Sequence, residues 1–242
     1  MTDSPKSPDS PDSPNKYITD KGSARFFDTF IHFIESPNSP ETPKTIYLGT
    51  NLPGGFDGIL YNTEQLTVPD KFKQLIESVI KNPGIEVWDY SQVNIGILEK
   101  ANIMAKYIPL FSPTWYIEKL RSYRSEMVYD IGFNGSPSPR RDTVIHKLRG
   151  AGFKVLHSSS WGEERDRELS KCRILINIHY NTDYLIFETA RCEPWLQLGV
   201  PIISELSVIN DPRCIHTTYD GFVDTVVRYF HTVKNESNNL GI

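Results

Sequence analysis

The stretch "INIHYNTDYLIFETARCEPWLQLGVPIISE", residues 176–205, sets Glu188, Arg191 and Glu193 close together between two runs that read as strands. A guanidinium can grip an anion, and a carboxylate beside it can accept from hydroxyl groups. Glu188 and Arg191 are three apart and can share a helix face, whereas Glu193 is five from Glu188 and lies well round the helix. As a surface pair Glu188 and Arg191 are worth only about 0.3–0.5 kcal/mol. A working role is favoured because the helix is flanked by apolar strands, where unpaired charge is costly to bury. Pro194 suits a first helical turn, so a helix that begins there leaves residues 188–193 as a shaped loop.

A second group precedes it in the chain. "GFNGS", residues 132–136, lies where a strand hands over to a helix, so that Gly135 and Ser136 let a ligand approach the backbone and the helix-start N–H groups face phosphate oxygens. The plain alternative is an ordinary βα turn. Arg140 and Arg141 open the next helix, where the macrodipole disfavours cations unless an anion is near. Of the two, Arg140 is expected to point inward. His179 ends a strand at the same edge and is a candidate ligand contact, while His146 and His157 read as structural. In the first half of the chain Asp89, in "WDYS", and Glu64, in "YNTEQ", stand at strand ends and are the candidate bases. No D-x-D stands at a strand end. "DRE", residues 166–168, reads as a solvated helix face, so no metal ligand is expected.

These residues need a sheet to place them. From Thr45 the chain alternates: "TIYLGT" and "GILYNTEQL" as strands, "DKFKQLIESVIKN" as a helix, "IEVWDYS" as a strand, "QVNIGILEKA" as a helix and "IMAKYIPLF" as a strand. After "SPTWYIEKLRSYRS" the alternation restarts. "MVYDIGFNG", "FKVLHSS", "RILINIHY" and "VPIISE" read as strands, separated by the helices "RRDTVIHKLRGAG", "GEERDRELSKC" and "FETARCEPWLQLG", and "YDGFVDTVVRYFHTVKN" closes the chain. The expected organisation is an α/β protein of two Rossmann-like halves facing a cleft, residues 45–125 and 126–235, the first of them reduced. In open α/β sheets ligands lie beyond the carboxyl ends of the strands, which is where the loop after "ILINIHY" delivers Glu188 and Arg191. Residues 1–22, with Ser-Pro repeated at a three-residue period, read as a disordered tail. Residues 23–44 read as a short helix and linker, and 236–242 as a terminal tail.

Composition narrows the classes. A chain of 242 residues with 38% hydrophobic content supports a real core, and a formal charge of −4 gives no polyelectrolyte signature for nucleic acid. Its three cysteines, Cys172, Cys192 and Cys214, lack metal-ligand spacing and form no disulfide framework, which favours a reducing compartment. With no long apolar run and no leader pattern at the N-terminus, a soluble cytoplasmic protein without a transmembrane segment is expected.

"YDIGFNGSPSPRRDTVIHKLRGAGFKV", "RILINIHY" and "FETARCEPWLQLGVPIISE" together resemble the C-terminal nucleotide-sugar domain of GT-B glycosyltransferases, in particular the spore-maturation-like group of family-1-type transferases. "ILYNTEQL", "WDYSQVNI" and "YIPLF" look like pieces of the N-terminal, acceptor half. The resemblance implies transfer of a sugar from a UDP- or GDP-sugar to an acceptor hydroxyl on a glycan, lipid or protein. It implies no cofactor besides that co-substrate, no metal, and a retaining outcome. Gly135, Ser136, Arg140, His179, Glu188, Arg191 and Glu193 are then donor contacts, with Arg191 on the diphosphate and Glu188 or Glu193 on ribose or sugar hydroxyls. Asp89, Glu64 and Glu188 are the catalytic candidates. Two departures are visible: the family glutamate three positions after the arginine is Pro194 here, and the first half is short. They motivate the alternatives of a catalytically degenerate relative that binds a nucleotide or a partner, or another α/β module whose Ser-Pro tail is the working part.

Overall fold

The computed structural model describes residues 16–19 and 45–239. The expected helix and linker at residues 23–44, and the Ser-Pro repeats themselves, lie outside the described residues. The chain divides into two compact units, Met1–Pro113 and Thr114–Ile242.

The first unit is a five-stranded, all-parallel sheet in the order β1 (Lys16–Thr19), β2 (Thr45–Leu48), β3 (Ile59–Asn62), β4 (Glu86–Asp89), β5 (Ala105–Tyr107). Lys16–Thr19 corrects the sequence reading, which placed these residues in the disordered tail: "KYIT" is rich in strand formers and pairs in register with β2. The strand expected over "IMAKYIPLF" is confined to three residues, because Pro109 has no N–H to give a ladder. Helix α1 (Pro69–Lys81) starts on proline, with Asp70 in its first turn and Lys81 in its last, as the macrodipole favours. Helix α2 (Gln92–Lys100) is capped by Ser91, whose side chain accepts from the Asn94 N–H. Leu75 of α1 and Leu98 of α2 pack on Tyr47, Leu60 and Val87. Ile46, Leu48, Ile59, Tyr61 and Trp88, of opposite parity on the strands, are also buried.

The second unit opens with α3 (Thr114–Tyr123), followed by β6 (Tyr129–Asn134), α4 (Pro139–Gly150), β7 (Val155–Ser158), α5 (Gly162–Leu169), β8 (Cys172–Asn177), α6 (Thr189–Gln197), β9 (Ile202–Glu205), β10 (Ile215–Thr217) and α7 (Phe222–Asn239). All its strands are parallel, in the order β10-β9-β8-β6-β7. Residues of α4 and α7 pack on Ile131, Phe133, Ile174, Ile176 and Ile203. Residues of α3, α5 and α6 pack on the other face around Leu175 and Ile202. The sheet is therefore covered on both sides, which is why its strands read as apolar runs. From β6 the chain passes outward to β7 and then returns to β8 on the far side of β6. The order reverses between β6 and β8, and in open parallel sheets ligands bind beyond the carboxyl ends of the strands at such a reversal. Helix α6 begins at Thr189 with Pro194 inside it, so a helix starting at Pro194 is not what forms.

Candidate functional site

Three features build the reversal point. Gly132 lets β6 lie against β8, since a Cβ there would fall 2.6 Å from the Cys172 Sγ. Ser138 caps α4 by accepting from the Arg141 N–H at 3.3 Å, and Pro139 starts the helix. Arg141, Val144, Ile145 and Leu148 then fall at i, i+3, i+4 and i+7, one stripe of the helix, and all four are buried.

Arg141 is 2% exposed; its Nε donates to the Ile178 carbonyl at 3.0 Å and its Nη1 to the Ser136 carbonyl at 2.9 Å. From α6, Arg191 donates through Nη1 to Asn177 Oδ1 at 2.8 Å, while its Nη2 lies 3.7 Å from Glu188 Oε2. Both guanidiniums sit over the Phe133 ring, 5.2 and 5.4 Å from its centre. Gly135 is what admits them: a Cβ there would lie 2.9 Å from Phe133 Cζ, 3.1 Å from Arg141 Nη1 and 3.2 Å from Arg191 Nη2. His157 Nε2 holds the Gly135 carbonyl at 2.9 Å, which fixes the turn from the neighbouring strand. Burial first, and then the Arg191 charge, pull the Arg141 pKa down to about 10, so it stays cationic at neutral pH in a place that costs it energy. An anion between the two would offset that cost.

The sequence expected Arg140 rather than Arg141 to reach this loop, and the structure corrects it. Arg140 falls off the buried stripe and donates through both terminal nitrogens to Glu205 at the end of β9, with its guanidinium 3.8 Å from the Tyr219 ring centre. His179 stands on the same side: its backbone N–H donates to Glu205 at 3.1 Å, and its Nε2 lies 3.1 Å from the Leu206 carbonyl and 3.2 Å from Ser207 Oγ. Burial lowers its pKa, so the ring is neutral, and its buried Nδ1 has no partner. Glu193 is turned away from Arg191 and is held by Arg213, at 2.5 Å, and by Gln197, at 2.8 Å. The site therefore brings together Gly135, Ser136, Glu188 and Arg191 of the expected donor contacts. Arg140 and His179 stand with Glu205, and Glu193 stands with Arg213.

In the first unit Asp89 and Glu64 form one network. Asp89 is fully buried and takes hydrogen bonds from the Asn62 side chain at 2.6 Å, the Ser91 N–H at 2.7 Å and the Asn94 side chain at 3.1 Å. Burial outweighs these donors and raises its pKa to about 7. The same two asparagines hold the Glu64 backbone: Asn62 Nδ2 and Asn94 Nδ2 each reach the Glu64 carbonyl at 2.9 Å. Glu64 itself, partly exposed, pairs with Lys71 at 3.1 Å.

"DRE" is not a solvated face. Asp166 is 3% exposed and accepts from Arg165 at 2.6 Å and from the Tyr116 hydroxyl at 2.8 Å, and Arg165 reaches Tyr116 at 3.0 Å. Glu168 accepts from Ser158 at 2.6 Å. These contacts join α5 to α3 and to the end of β7, while Arg167 faces outward. Among the described residues no group of three or more His, Cys, Asp or Glu is arranged to hold a metal ion. No helix among them is long and apolar enough to cross a membrane.

Fold and site together define a two-unit, parallel-sheet α/β protein with a cationic pair at the reversal point of its second sheet. No family model matches the chain. It is 32% identical over 196 residues to the uncharacterized protein L140 of Acanthamoeba polyphaga mimivirus, a match covering 76% of this chain and 63% of that protein. To the uncharacterized protein L138 of the same virus it is 36% identical over 192 residues, covering 76% of this chain and 21% of that protein. To L137 it is 31% identical over 204 residues, covering 80% and 27%. The chain thus spans 21% to 63% of the length of these relatives. No solved structure matches it.

Proposed function

We propose that the chain is a glycosyltransferase of the GT-B type, whose second unit binds a nucleotide-sugar donor, a UDP- or GDP-sugar, and which moves the sugar to an acceptor hydroxyl. The observation that carries this reading is the convergence of Arg141 and Arg191 on Gly135 at the sheet's reversal point. A diphosphate is an anion that two guanidiniums can share, and it is the leaving group whose charge must be met as the anomeric C–O bond between sugar and diphosphate breaks and the bond to the acceptor oxygen forms. Glu188, 3.7 Å from Arg191, would accept from donor hydroxyls. Ser136, whose carbonyl accepts from Arg141, lies in the turn before α4, where its backbone N–H and hydroxyl would meet the phosphates. In the first unit Glu64 is the more accessible of the two candidate bases, though paired with Lys71, whereas Asp89 has a pKa near a base's requirement but is buried with three donors already on it.

A second reading, a protein that binds the nucleotide without turnover, is favoured by one observation. Glu193, the acid nearest in sequence to the position at which the resembled family carries its glutamate, is committed to Arg213. The two readings separate by following nucleoside diphosphate release from UDP- and GDP-sugars in the presence of glycan, lipid and peptide acceptors. Transfer predicts release that Arg191→Ala abolishes. Binding alone predicts saturable association with no release, and absence of both contradicts the donor site itself.

A further inference from the structure

Tyr180 lies in the loop that follows β8, beside the cationic pair. Its backbone carbonyl accepts from the Ser138 hydroxyl at 3.0 Å, so the N-cap of α4 also pins this loop. The Arg141 guanidinium lies 5.3 Å from the Tyr180 ring centre, and the Tyr184 ring meets Tyr180 at 5.6 Å with an interplanar angle of 68°. The ring meets Arg141 and Tyr184, the backbone is held by Ser138, and the residue is nonetheless 38% exposed. Large aromatic faces held rigid and left to solvent cost little further order when a flat group covers them.

Resting on the donor-site reading above, we propose that Tyr180, braced by Tyr184, is the stacking platform for the nucleobase of the bound nucleotide. A base is joined to its diphosphate through a single ribose, so its platform must adjoin the cations, as Tyr180 adjoins Arg141. A base is recognised here by its face, which every base possesses. A sugar needs several hydrogen-bonding partners, and the carboxylate suited to that, Glu188, stands at the other end of the same loop with Arg191. Ser138, which caps α4 and anchors Tyr180, couples the phosphate turn to the platform.

The test is calorimetric titration of the full chain with inorganic pyrophosphate, UDP, GDP and UDP-glucose, for the wild type and for Tyr180→Ala, Tyr180→Leu and Tyr180→Phe. The platform predicts that Ala and Leu weaken UDP or GDP roughly ten- to a hundredfold, that Phe retains binding, and that pyrophosphate affinity stays within about twofold. Equal weakening of pyrophosphate overturns the proposal, because the loop rather than the ring then matters. So does unchanged UDP and GDP binding, or a loss confined to UDP-glucose, which assigns the ring to the sugar. A wild type that binds neither pyrophosphate nor nucleotide overturns the donor site along with the platform.

Discussion

The guanidinium carbons of Arg141 and Arg191 lie 5.2 and 5.4 Å from the centre of the same Phe133 ring, although one arginine comes from α4 and the other from α6. Each is tied to the end of β8, Arg141 through the Ile178 carbonyl and Arg191 through the Asn177 side chain. Like charges brought together at one aromatic ring would be relieved by an anion, which the proposed donor diphosphate supplies.

Arg191→Ala is expected to weaken nucleoside diphosphate binding by about 1.5–3 kcal/mol, the range for hydrogen bonds to charged groups. Arg191→Lys recovers part of this at most, because a lysine cannot offer the planar fork. Titration of both variants with UDP and GDP measures the difference, while denaturant midpoints close to the wild type show that the fold is kept.

Gly135→Ala places a methyl group 2.9 Å from Phe133 Cζ and within 3.1–3.2 Å of both guanidiniums. The expected outcome is a loss of binding together with a loss of stability, because the buried Phe133 ring as well as both arginine side chains must shift. A variant with wild-type affinity contradicts the role given to this turn.

The Asp89 carboxyl, raised to about 7 by burial, makes a prediction about pH. The folded state holds its proton across a window in which the unfolded chain, near the ordinary aspartate value, has lost it. Its contribution is fully present below pH about 4 and falls as pH rises to about 7, by a few kcal/mol in order of magnitude. Urea unfolding from pH 4 to 8 should show this slope in the wild type and a flatter one in Asp89→Asn. Identical slopes contradict it.

Asp166→Ala leaves Arg165 buried without its carboxylate and is expected to destabilise the second unit by about 3–5 kcal/mol. Tyr116→Phe, which removes one hydroxyl from the same cluster, costs about 1–2 kcal/mol. Equilibrium unfolding of each variant reports both values.

Strands and helices from β2 onward were largely legible, because the βαβ alternation and the glycine stops are written in the local pattern. Beyond local pattern lay β10, a three-residue edge strand defined by its pairing with β9, and β1, which stands as a strand through its pairing with β2. Gly135, Glu188 and Arg191 are expected from their place after strands, and the structure brings them together. Arg141 rather than Arg140 is the inward arginine, and its signal is in the sequence: it shares the i, i+3, i+4, i+7 stripe with Val144, Ile145 and Leu148, and Arg140 does not. Asp166 was hidden differently. Its partners are its neighbour Arg165 and Tyr116 from another helix, and no spacing in "EERDREL" announces a tyrosine from α3. His157 and Tyr180 likewise act through contacts with the turn and with Arg141, which a single sequence does not display.

Thermal unfolding of the wild type and Arg191→Ala in the presence of UDP, GDP, ADP, TDP, CMP and their sugars tests the proposed donor site. A donor site at Arg191 predicts that a UDP or GDP compound stabilises the wild type, by about 2.7 kcal/mol at a hundred times its dissociation constant, and that the variant loses the shift. A protein whose unfolding no nucleotide or nucleotide sugar displaces contradicts it.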